Sequence, residues 1–213
     1  MSAFDLEEQE QLAELKAWWK THGNAVLTGA IVVLLAIAAW NGWTWYQRNQ
    51  AAQAAALYDT LQKAARADDV KAVRDAAGTI LENYPRTAYA ALSALTSAKV
   101  HFQAGDLKTA RAQLEWVVEH ARGDQIKAIA RLRLANVLLD DGAPEEALKV
   151  LETQPDPAFA ALFASQRGDI LAAQKKPADA RAAYKAALEK ADPKDSSLRE
   201  SLRLKLDALG EGS

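Results

Sequence analysis

Residues that could perform catalysis or bind a metal are few in this chain, and their spacing does not bring them together. The histidines His22, His101 and His120 lack the helical spacing at which two imidazoles share a metal ion. The 213 residues include no cysteine, which excludes thiolate metal sites, a cysteine nucleophile and disulfides. No phosphate-binding loop, dinucleotide fingerprint or serine-nucleophile elbow is present. The sequence therefore predicts a protein that is not an enzyme and has no cofactor, metal site or small-molecule substrate.

Paired acidic residues fall where turns or helix starts are expected. There a carboxylate caps a helix or complements its dipole, rather than acting as a general acid. The pairs are Asp68–Asp69, Asp140–Asp141 and Glu145–Glu146. Arg131 and Arg133 are interpreted as helix-surface cations. Lys and Arg (26) nearly balance Asp and Glu (28) and do not cluster, which excludes a nucleic-acid interface.

An uncharged run extends over residues 23–47, and its centre, AVLTGAIVVLLAIAAW, is almost wholly apolar. A helix needs about 20 such residues to cross the hydrocarbon core of a bilayer. Indole and phenol rings favour the lipid–water interface. They flank this run at Trp18, Trp19, Trp40, Trp43, Trp45 and Tyr46. We expect a single transmembrane helix at residues 23–47, surrounded by a lipid bilayer.

Two other structures could produce such a run, namely a buried core helix and a cleaved signal peptide. The run is too long for a typical core helix. Ala36 and Ala38 form the A-x-A pattern of a cleavage site, but this pattern lies inside the apolar stretch rather than after it. A signal peptide also begins with a short basic region, whereas residues 1–22 carry five acidic and two basic side chains. A retained anchor is therefore favoured.

Basic residues on either side of the span bear on its orientation. Lys16 and Lys20 precede it, and Arg48 is the only cation close behind it. Because cytoplasmic flanks carry the excess of Lys and Arg, residues 1–22 are predicted to form a cytoplasmic N-terminal segment.

The N-terminal segment itself has amphipathic spacing over residues 4–20. Leu12, Leu15 and Trp19 follow a helical period, with Glu8 and Lys16 on other faces. This pattern fits a short interfacial helix that runs into the span. A solvated tail is the alternative for its first ten residues.

Small residues recur at four-residue spacing within the span. Ala25 and Gly29 form one such pair, and Ala38 and Gly42 form another. This spacing lets a second transmembrane helix approach closely. These four residues are a candidate membrane helix contact, the alternative being chance in an alanine-rich span.

Beyond the span, residues recur in the order small, turn, apolar, alanine and bulky, and this order occurs three times. The turn residue is Gly105 in the first copy, Gly142 in the second and Lys175 in the third. Ala98, Ala135 and Gly168 open the three copies, and the matching residues follow at offsets of 7, 9, 12 and 16. In the first copy these are Gly105, Leu107, Ala110 and Leu114. The alanine at offset 12 steps from 110 to 147 to 180. A spacing near 34 residues with this composition is typical of tetratricopeptide repeats, in which each helix pair covers its neighbour's apolar face.

Both ends of the repeat array have a predicted structure. A less regular copy precedes the array, with Ala64, Val73, Ala76 and Ile80 at corresponding positions, 34 residues before the first. A capping helix is expected at the other end, with Leu198, Leu202, Leu206 and Leu209 inside, Ser196 or Ser197 as N-cap, Glu200 in a capping box and Gly210 at its end.

These elements give an all-α fold class. A single N-terminal transmembrane helix is followed at residues 48–213 by a tetratricopeptide-like helical solenoid with a C-terminal capping helix. We expect about four helix pairs plus the cap.

The first helices of the pairs line a concave surface in this class of solenoid. Their mixed polar and apolar residues suit an extended peptide or a partner helix, although ordinary surface and packing residues would look the same. His101 is expected in the core or facing a partner. The candidate partner groove consists of Lys99, Phe102, Gln103, Asn136, Leu139, Asp140 and Asp169.

With these segments placed, the chain resembles the YfgM family, ancillary subunits of the SecYEG translocon with one span and a tetratricopeptide-like domain. The resemblance covers nearly the whole length. It is strongest at WWKTHGNAV before the span, WNGWTWY at its end, and YAALSALTSAKVHFQAGDLKTARAQL. It continues through IKAIARLRLANVLL, RGDILAAQ and ADARAAYKAAL.

The resemblance implies a single-pass protein of the bacterial inner membrane, with its N-terminus in the cytoplasm and its C-terminal domain in the periplasm. It implies association with SecYEG and with PpiD, a membrane-anchored periplasmic chaperone. The expected function is a binding module that helps pass translocated, unfolded clients to such chaperones. The alternative is a tetratricopeptide scaffold for another envelope complex, such as cell-wall or division machinery.

Overall fold

The computed structural model describes residues 3–153 and 155–210, with side chains described from residue 10 onward. This part of the chain forms nine α-helices and contains no strand, so the predicted all-α class is confirmed. A 3₁₀ turn at Pro157–Phe159 precedes the seventh helix. The side chain of Glu8, which was predicted to lie on the polar face of the N-terminal helix, is outside the described side chains. The helices are α1 (Ala3–Arg66), α2 (Val70–Asn83), α3 (Ala88–Gln103), α4 (Leu107–His120), α5 (Asp124–Asp140), α6 (Pro144–Val150), α7 (Ala160–Ala173), α8 (Pro177–Lys190) and α9 (Ser196–Ala208).

The chain divides into two compact units, an anchor unit (Met1–Gln50) and a solenoid unit (Ala51–Ser213). In the anchor unit the side chains of α1 are exposed almost throughout. Among the described residues, α1 is the one helix that is long and apolar enough to cross a membrane. The Thr28 hydroxyl donates to the Asn24 carbonyl at 2.8 Å, and the Thr44 hydroxyl to the Asn41 carbonyl at 3.0 Å. Both hydroxyls are therefore satisfied within the helix, as a hydrocarbon environment requires.

In the solenoid unit, four turns of one kind join helices in pairs: α1 to α2, α3 to α4, α5 to α6 and α7 to α8. In each turn a backbone N–H donates to the carbonyl five residues earlier, and the preceding residue has positive φ, which is the Schellman geometry. The donors are Asp69, Asp106, Ala143 and Lys176, at 2.8 to 3.0 Å. The positive φ values belong to Asp68 (53°), Gly105 (79°), Gly142 (75°) and Lys175 (59°).

These turns set the register of the first helix pair, and the sequence prediction was wrong by three residues. Asp69 lies 37 residues before Asp106. Leu61 and Val73 therefore occupy the places of Ala98 and Ala110, and both are fully buried. Ala64 and Ala76, which the pattern had selected, are only half-buried. The stretch contains so many alanines that a second register fits the pattern equally well.

Small residues line the contact between the helices of each later pair, as predicted. Ala98 and Ala110, and likewise Ala135 and Ala147, are buried. The main apolar cluster joins α3 to α7, a second joins α7 to α9, and a third joins α1, α2 and α3. The helix α7 belongs to the first two clusters, and Trp116 packs against the first and third. The interior is therefore continuous along the stack.

The third pair is asymmetric, because α6 has seven residues where α2, α4 and α8 have 14 each. After α6 the Asp156 carboxylate accepts a hydrogen bond from the Ala158 N–H at 2.9 Å and starts the 3₁₀ turn. Phe159, at the end of this turn, packs against the main apolar cluster. It contributes apolar surface that the short second helix does not provide.

The helix α9 closes the C-terminal end of the stack. Leu198, Leu202 and Leu206 pack with α7 and α8, and Gly210 follows the last turn with φ of 71°. The N-cap is Asp195, whose carboxylate accepts from the Leu198 N–H at 3.0 Å. The predicted caps Ser196 and Ser197, and the capping box with Glu200, were therefore wrong. Asp and Ser cap helices about equally well, so composition could not choose between adjacent candidates.

The acidic pairs divide into two groups. Asp69 caps α2, and Glu145 and Glu146 lie in the first turn of α6, as predicted. The pair Asp140–Asp141 instead ends α5. Because negative charge opposes the dipole at a helix C-terminus, the dipole explanation was wrong for this pair.

Candidate partner-binding groove

The turns fix which residues of α3, α5 and α7 are equivalent. Lys99, Asn136 and Asp169 each follow the small residue that faces the second helix of the pair, so they lie on a shared face of the three helices. We call this face the groove. Because seven residues span nearly two helical turns, residues one heptad earlier also lie on it.

The structure brings three of the predicted residues together around one pocket. Lys99 and Phe102 from α3 and Asn136 from α5 line a cavity of about 340 Å³. Most of the wall is apolar, and Lys99 and Arg133 are its charged members. Neither has an ion-pair partner among the described side chains, which are those of residues 10–153 and 155–210. The other lining residues are Ala98, Leu114, Arg133 and Val137.

Three predicted residues lie outside this lining. Gln103 and Asp140 are the last residues of α3 and α5, and both are exposed. Leu139 is half-buried and packs against the main apolar cluster. The assignment of all three to a partner contact stays a prediction.

Asp169, the seventh predicted residue, is bonded within the fold. Its carboxylate meets Lys205 Nζ at 2.7 Å and accepts a hydrogen bond from the Tyr184 hydroxyl at 2.8 Å. Lys205 Nζ also lies 5.7 Å from the centre of the Tyr184 ring. Burial raises the pKa of Tyr184, and the bond to Asp169 raises it further, so the phenol stays protonated. The charge of Asp169 at this end of the groove is therefore neutralised by Lys205 of the same chain.

Tyr184 fits over the smallest residue of the groove helices. A Cβ at Gly168 would lie 2.5 Å from Cδ1 of the Tyr184 ring. The equivalent pairs are Ala98 with Leu114 and Ala135 with Leu151. In the last pair the residue from the second helix is larger, a tyrosine in place of leucine, and the residue that faces it on the first helix is smaller, a glycine in place of alanine.

Sequence reasoning missed Arg133 and an apolar strip on the groove. Arg133 was interpreted as an ordinary surface cation, although it lies three residues, about one helical turn, before Asn136. Leu92, Ile129 and Leu162 are equivalent residues one heptad before Lys99, Asn136 and Asp169. Leu92 is 37% exposed, Leu162 is 39% exposed, and Ile129 is half-buried. Comparing groove positions across the three copies would have revealed the strip.

His101 is a core residue. It is fully buried, and its Nδ1 lies 3.0 Å from the Asp106 carboxylate. That carboxylate also caps α4 through the Thr109 N–H at 3.0 Å and pairs with Arg74 at 3.2 Å. Hydrogen bonds from Thr109, with smaller contributions from His101, lower the pKa of Asp106 to about 2. These groups stabilise a turn and are arranged for structure rather than proton transfer.

The candidate membrane contact has two faces. Ala25, Gly29, Ala38 and Gly42 are exposed, and a Cβ at either glycine would meet nothing within 4 Å. Thirteen residues separate the two pairs, which places them about 140° apart around a regular helix. A single partner helix could therefore pack closely against one pair only.

Comparison with known families covers almost the whole chain. Residues 16–211 match a family model described as a tetratricopeptide repeat-like domain, which confirms the solenoid class predicted from the repeats.

Several curated proteins with the name "Ancillary SecYEG translocon subunit" are similar to this chain. The one from Neisseria gonorrhoeae is 35% identical over 97% of this chain and 99% of its own length. The Haemophilus influenzae protein is 29% identical over 97% of this chain and 100% of its own length. The Escherichia coli protein is 28% identical over 95% of this chain and 96% of its own length.

Proposed function

Since the chain belongs to the tetratricopeptide repeat-like family of ancillary SecYEG translocon subunits, we propose that it is a membrane-anchored, protein-binding subunit associated with that translocon. The membership confirms the resemblance drawn from the sequence motifs. The observation that carries the proposal is the 35% identity to the Neisseria relative over 97% of this chain. That similarity includes both the anchor and the solenoid, which are the parts needed to reach a membrane complex and to bind a partner.

The proposed location is the bacterial inner membrane, crossed once by residues 23–47. Residues 1–22 lie in the cytoplasm and the solenoid unit in the periplasm. The exposed apolar side chains of α1 support the span, because such a surface is stable in lipid and costly in water. Lys16 and Lys20, set against Arg48, support the orientation.

In this function the solenoid binds a membrane-anchored periplasmic chaperone of the PpiD type and unfolded clients that emerge from SecYEG. The open pocket between α3 and α5 supports a binding role. Groups of three or more His, Cys, Asp or Glu that could hold a metal do not occur in the residues that the structure describes. The proposed role is the recognition of polypeptides.

Affinity purification of the tagged full chain from gently solubilised inner membranes tests the association. SecYEG and the chaperone should be recovered together. The matched control replaces residues 1–50 by an unrelated single-span anchor, which keeps the solenoid unit in the membrane. Recovery of cell-wall or division enzymes without SecYEG would contradict the proposal and favour an envelope scaffold.

Protease accessibility tests the orientation. Protease added to spheroplasts should digest the solenoid unit, because it faces the outside of the inner membrane. Protection of this unit until the inner membrane is broken would reverse the proposed topology.

We expect the groove and the span to select different partners. Phe102→Ala should lower crosslinking to periplasmic partners and leave crosslinking to the membrane partner intact. Gly29→Leu and Gly42→Leu, tested singly, should do the reverse through whichever span face is used. Equal loss of every partner in the Phe102→Ala variant, with native circular dichroism, would indicate one undivided interface.

A further inference from the structure

We propose that the pocket between α3 and α5 is a subsite for polypeptide segments in which a bulky apolar side chain lies beside a carboxylate. The inference rests on the proposed protein-binding function and specifies the chemistry of the bound chain. It depends on three observations: the two cations of the pocket, its apolar wall, and the apolar strip beyond it.

The charges of the pocket call for an acidic occupant. Lys99 and Arg133 line the same pocket, and neither has an ion-pair partner among the described side chains of residues 10–153 and 155–210. Both residues are exposed at the edge of a mostly apolar wall, so a carboxylate can reach them while an adjacent apolar side chain enters the pocket. Asp169, which occupies the equivalent position on α7, is bonded to Lys205. A carboxylate from a partner would form ion pairs with Lys99 and Arg133.

The wall of the pocket fits an apolar side chain. Ala98, Phe102, Leu114 and Val137 supply four of its seven lining residues. The volume of about 340 Å³ falls within the range of roughly 300–1,000 Å³ that is usual for ligand sites. Phe102 is 36% exposed, so an occupant could still bury part of its ring. Aromatic residues in such positions are frequent anchors of protein interfaces.

The strip formed by Leu92, Ile129 and Leu162 favours an extended polypeptide over a small amphiphile. The strip runs across α3, α5 and α7 on the face that also bears Lys99 and Asn136. A fatty acid would fill the pocket and leave this strip uncovered. A polypeptide with apolar side chains at intervals can cover the strip while one carboxylate reaches Lys99 and Arg133.

The test uses the full chain in nanodiscs of zwitterionic phosphatidylcholine and measures fluorescence anisotropy of two labelled peptides. One peptide contains repeated Leu-Asp and Phe-Asp steps separated by serine, and the other has Asn in place of every Asp. The acidic peptide should bind about tenfold more tightly, as expected for one or two charge-assisted hydrogen bonds. The variant Lys99→Gln/Arg133→Gln should abolish this preference.

The matched control is Lys108→Gln/Lys149→Gln, which removes the same net charge from exposed sites on α4 and α6 and should keep the preference. Circular dichroism verifies that both double variants fold. Equal binding of the two peptides, binding of neither, or a preference that survives Lys99→Gln/Arg133→Gln would overturn the subsite. Displacement of the acidic peptide by equimolar dodecanoate would also overturn it, because the pocket would then be a fatty-acid site.

The failure of the subsite is distinguishable from failure of the proposed function. If the wild-type chain co-purifies with SecYEG but shows no acid preference, the subsite alone is overturned. If it does not co-purify with SecYEG, the function from which the subsite follows is overturned as well.

Discussion

The two ends of the groove carry equivalent residues in opposite situations. At the α3 end, Lys99 lies at an open pocket without an ion-pair partner in the described part of the chain. At the α7 end, Asp169 is bonded to Lys205 and Tyr184. The difference arises from α9, because Lys205 belongs to the capping helix. In a repeat stack, register decides which way a residue points, but the next helix decides whether it remains available to a partner.

The largest expected effect concerns packing at the α7 end of the groove, which we call the closed end because Asp169 is bonded within the fold there. The α3 end, where Lys99 lies at the pocket, is the open end. Gly168→Ala should lower the free energy of unfolding by about 2–3 kcal/mol, because its Cβ would overlap the Tyr184 ring. Urea titration of the full chain in detergent, followed by circular dichroism, measures it. The control is Gly78→Ala, where the helix has open space at the added Cβ and stability should rise slightly.

A second substitution sharpens this test. Tyr184→Leu in the Gly168→Ala background recreates the alanine–leucine combination of the two preceding pairs, and it should recover part of the lost stability. A double variant no more stable than Gly168→Ala alone would show that ring overlap is not the cause.

The next effect concerns the turn before α4, at the open end. Asp106→Ala should cost about 1–2 kcal/mol at neutral pH, because the N-cap acceptor and the contacts to His101 and Arg74 are lost. The folded pKa of about 2 lies below the ordinary 3.8, so the charged form stabilises the fold above about pH 4. This contribution is lost as pH falls through 2.

The control for charge is Asp106→Asn, which keeps a capping oxygen. It should retain most of the cap at neutral pH and reduce the decline in stability on acidification. Urea titrations of all three proteins between pH 2 and 7 measure the difference, and identical pH profiles for wild type and Asp106→Asn would exclude the carboxylate as the source.

A smaller effect compares the two ends directly. Lys205→Met should lower the free energy of unfolding by about 1 kcal/mol, because the half-buried Asp169 loses its ion pair and keeps only the hydrogen bond from Tyr184. Lys99→Met should change it by less than about 0.5 kcal/mol, since no internal partner is lost. Equal losses in parallel urea titrations would remove the distinction between a closed and an open end.

The smallest effect concerns the turn residues. Lys175 adopts positive φ where Gly105 and Gly142 do so without strain. Lys175→Gly should raise the free energy of unfolding by roughly 0.5 kcal/mol, because relief of left-handed strain exceeds the entropy cost of glycine. Lys176→Gly, next to it with φ of −109°, should instead lower stability. Thermal and urea unfolding of the pair would reveal the opposite signs.

The helix pairs could be predicted from the sequence because the residues that define each pair lie close together along the chain. Gly105 and Gly142 mark turns, and buried alanines recur at fixed offsets. The prediction failed at the first pair, because alanine-rich sequence permits two registers and only the turn at Asp68 and Asp69 distinguishes them. At the groove it placed Lys99, Phe102 and Asn136 together but could not show that Lys205 neutralises Asp169. That contact joins residues 36 positions apart on α7 and α9.

The seven-residue helix α6 has a consequence for how the solenoid responds to load. A repeat array behaves as a row of coupled elements, and an internal element that buries few side chains couples its neighbours weakly. The helix α6 buries one, Ala147, whereas α4 and α8 bury three each. Opening should therefore begin at α6, leaving the stretch before it and the stretch after it as two separate foldons. Under tension from a tethered chain, the molecule should yield at this internal joint while the helices on both sides keep their folds.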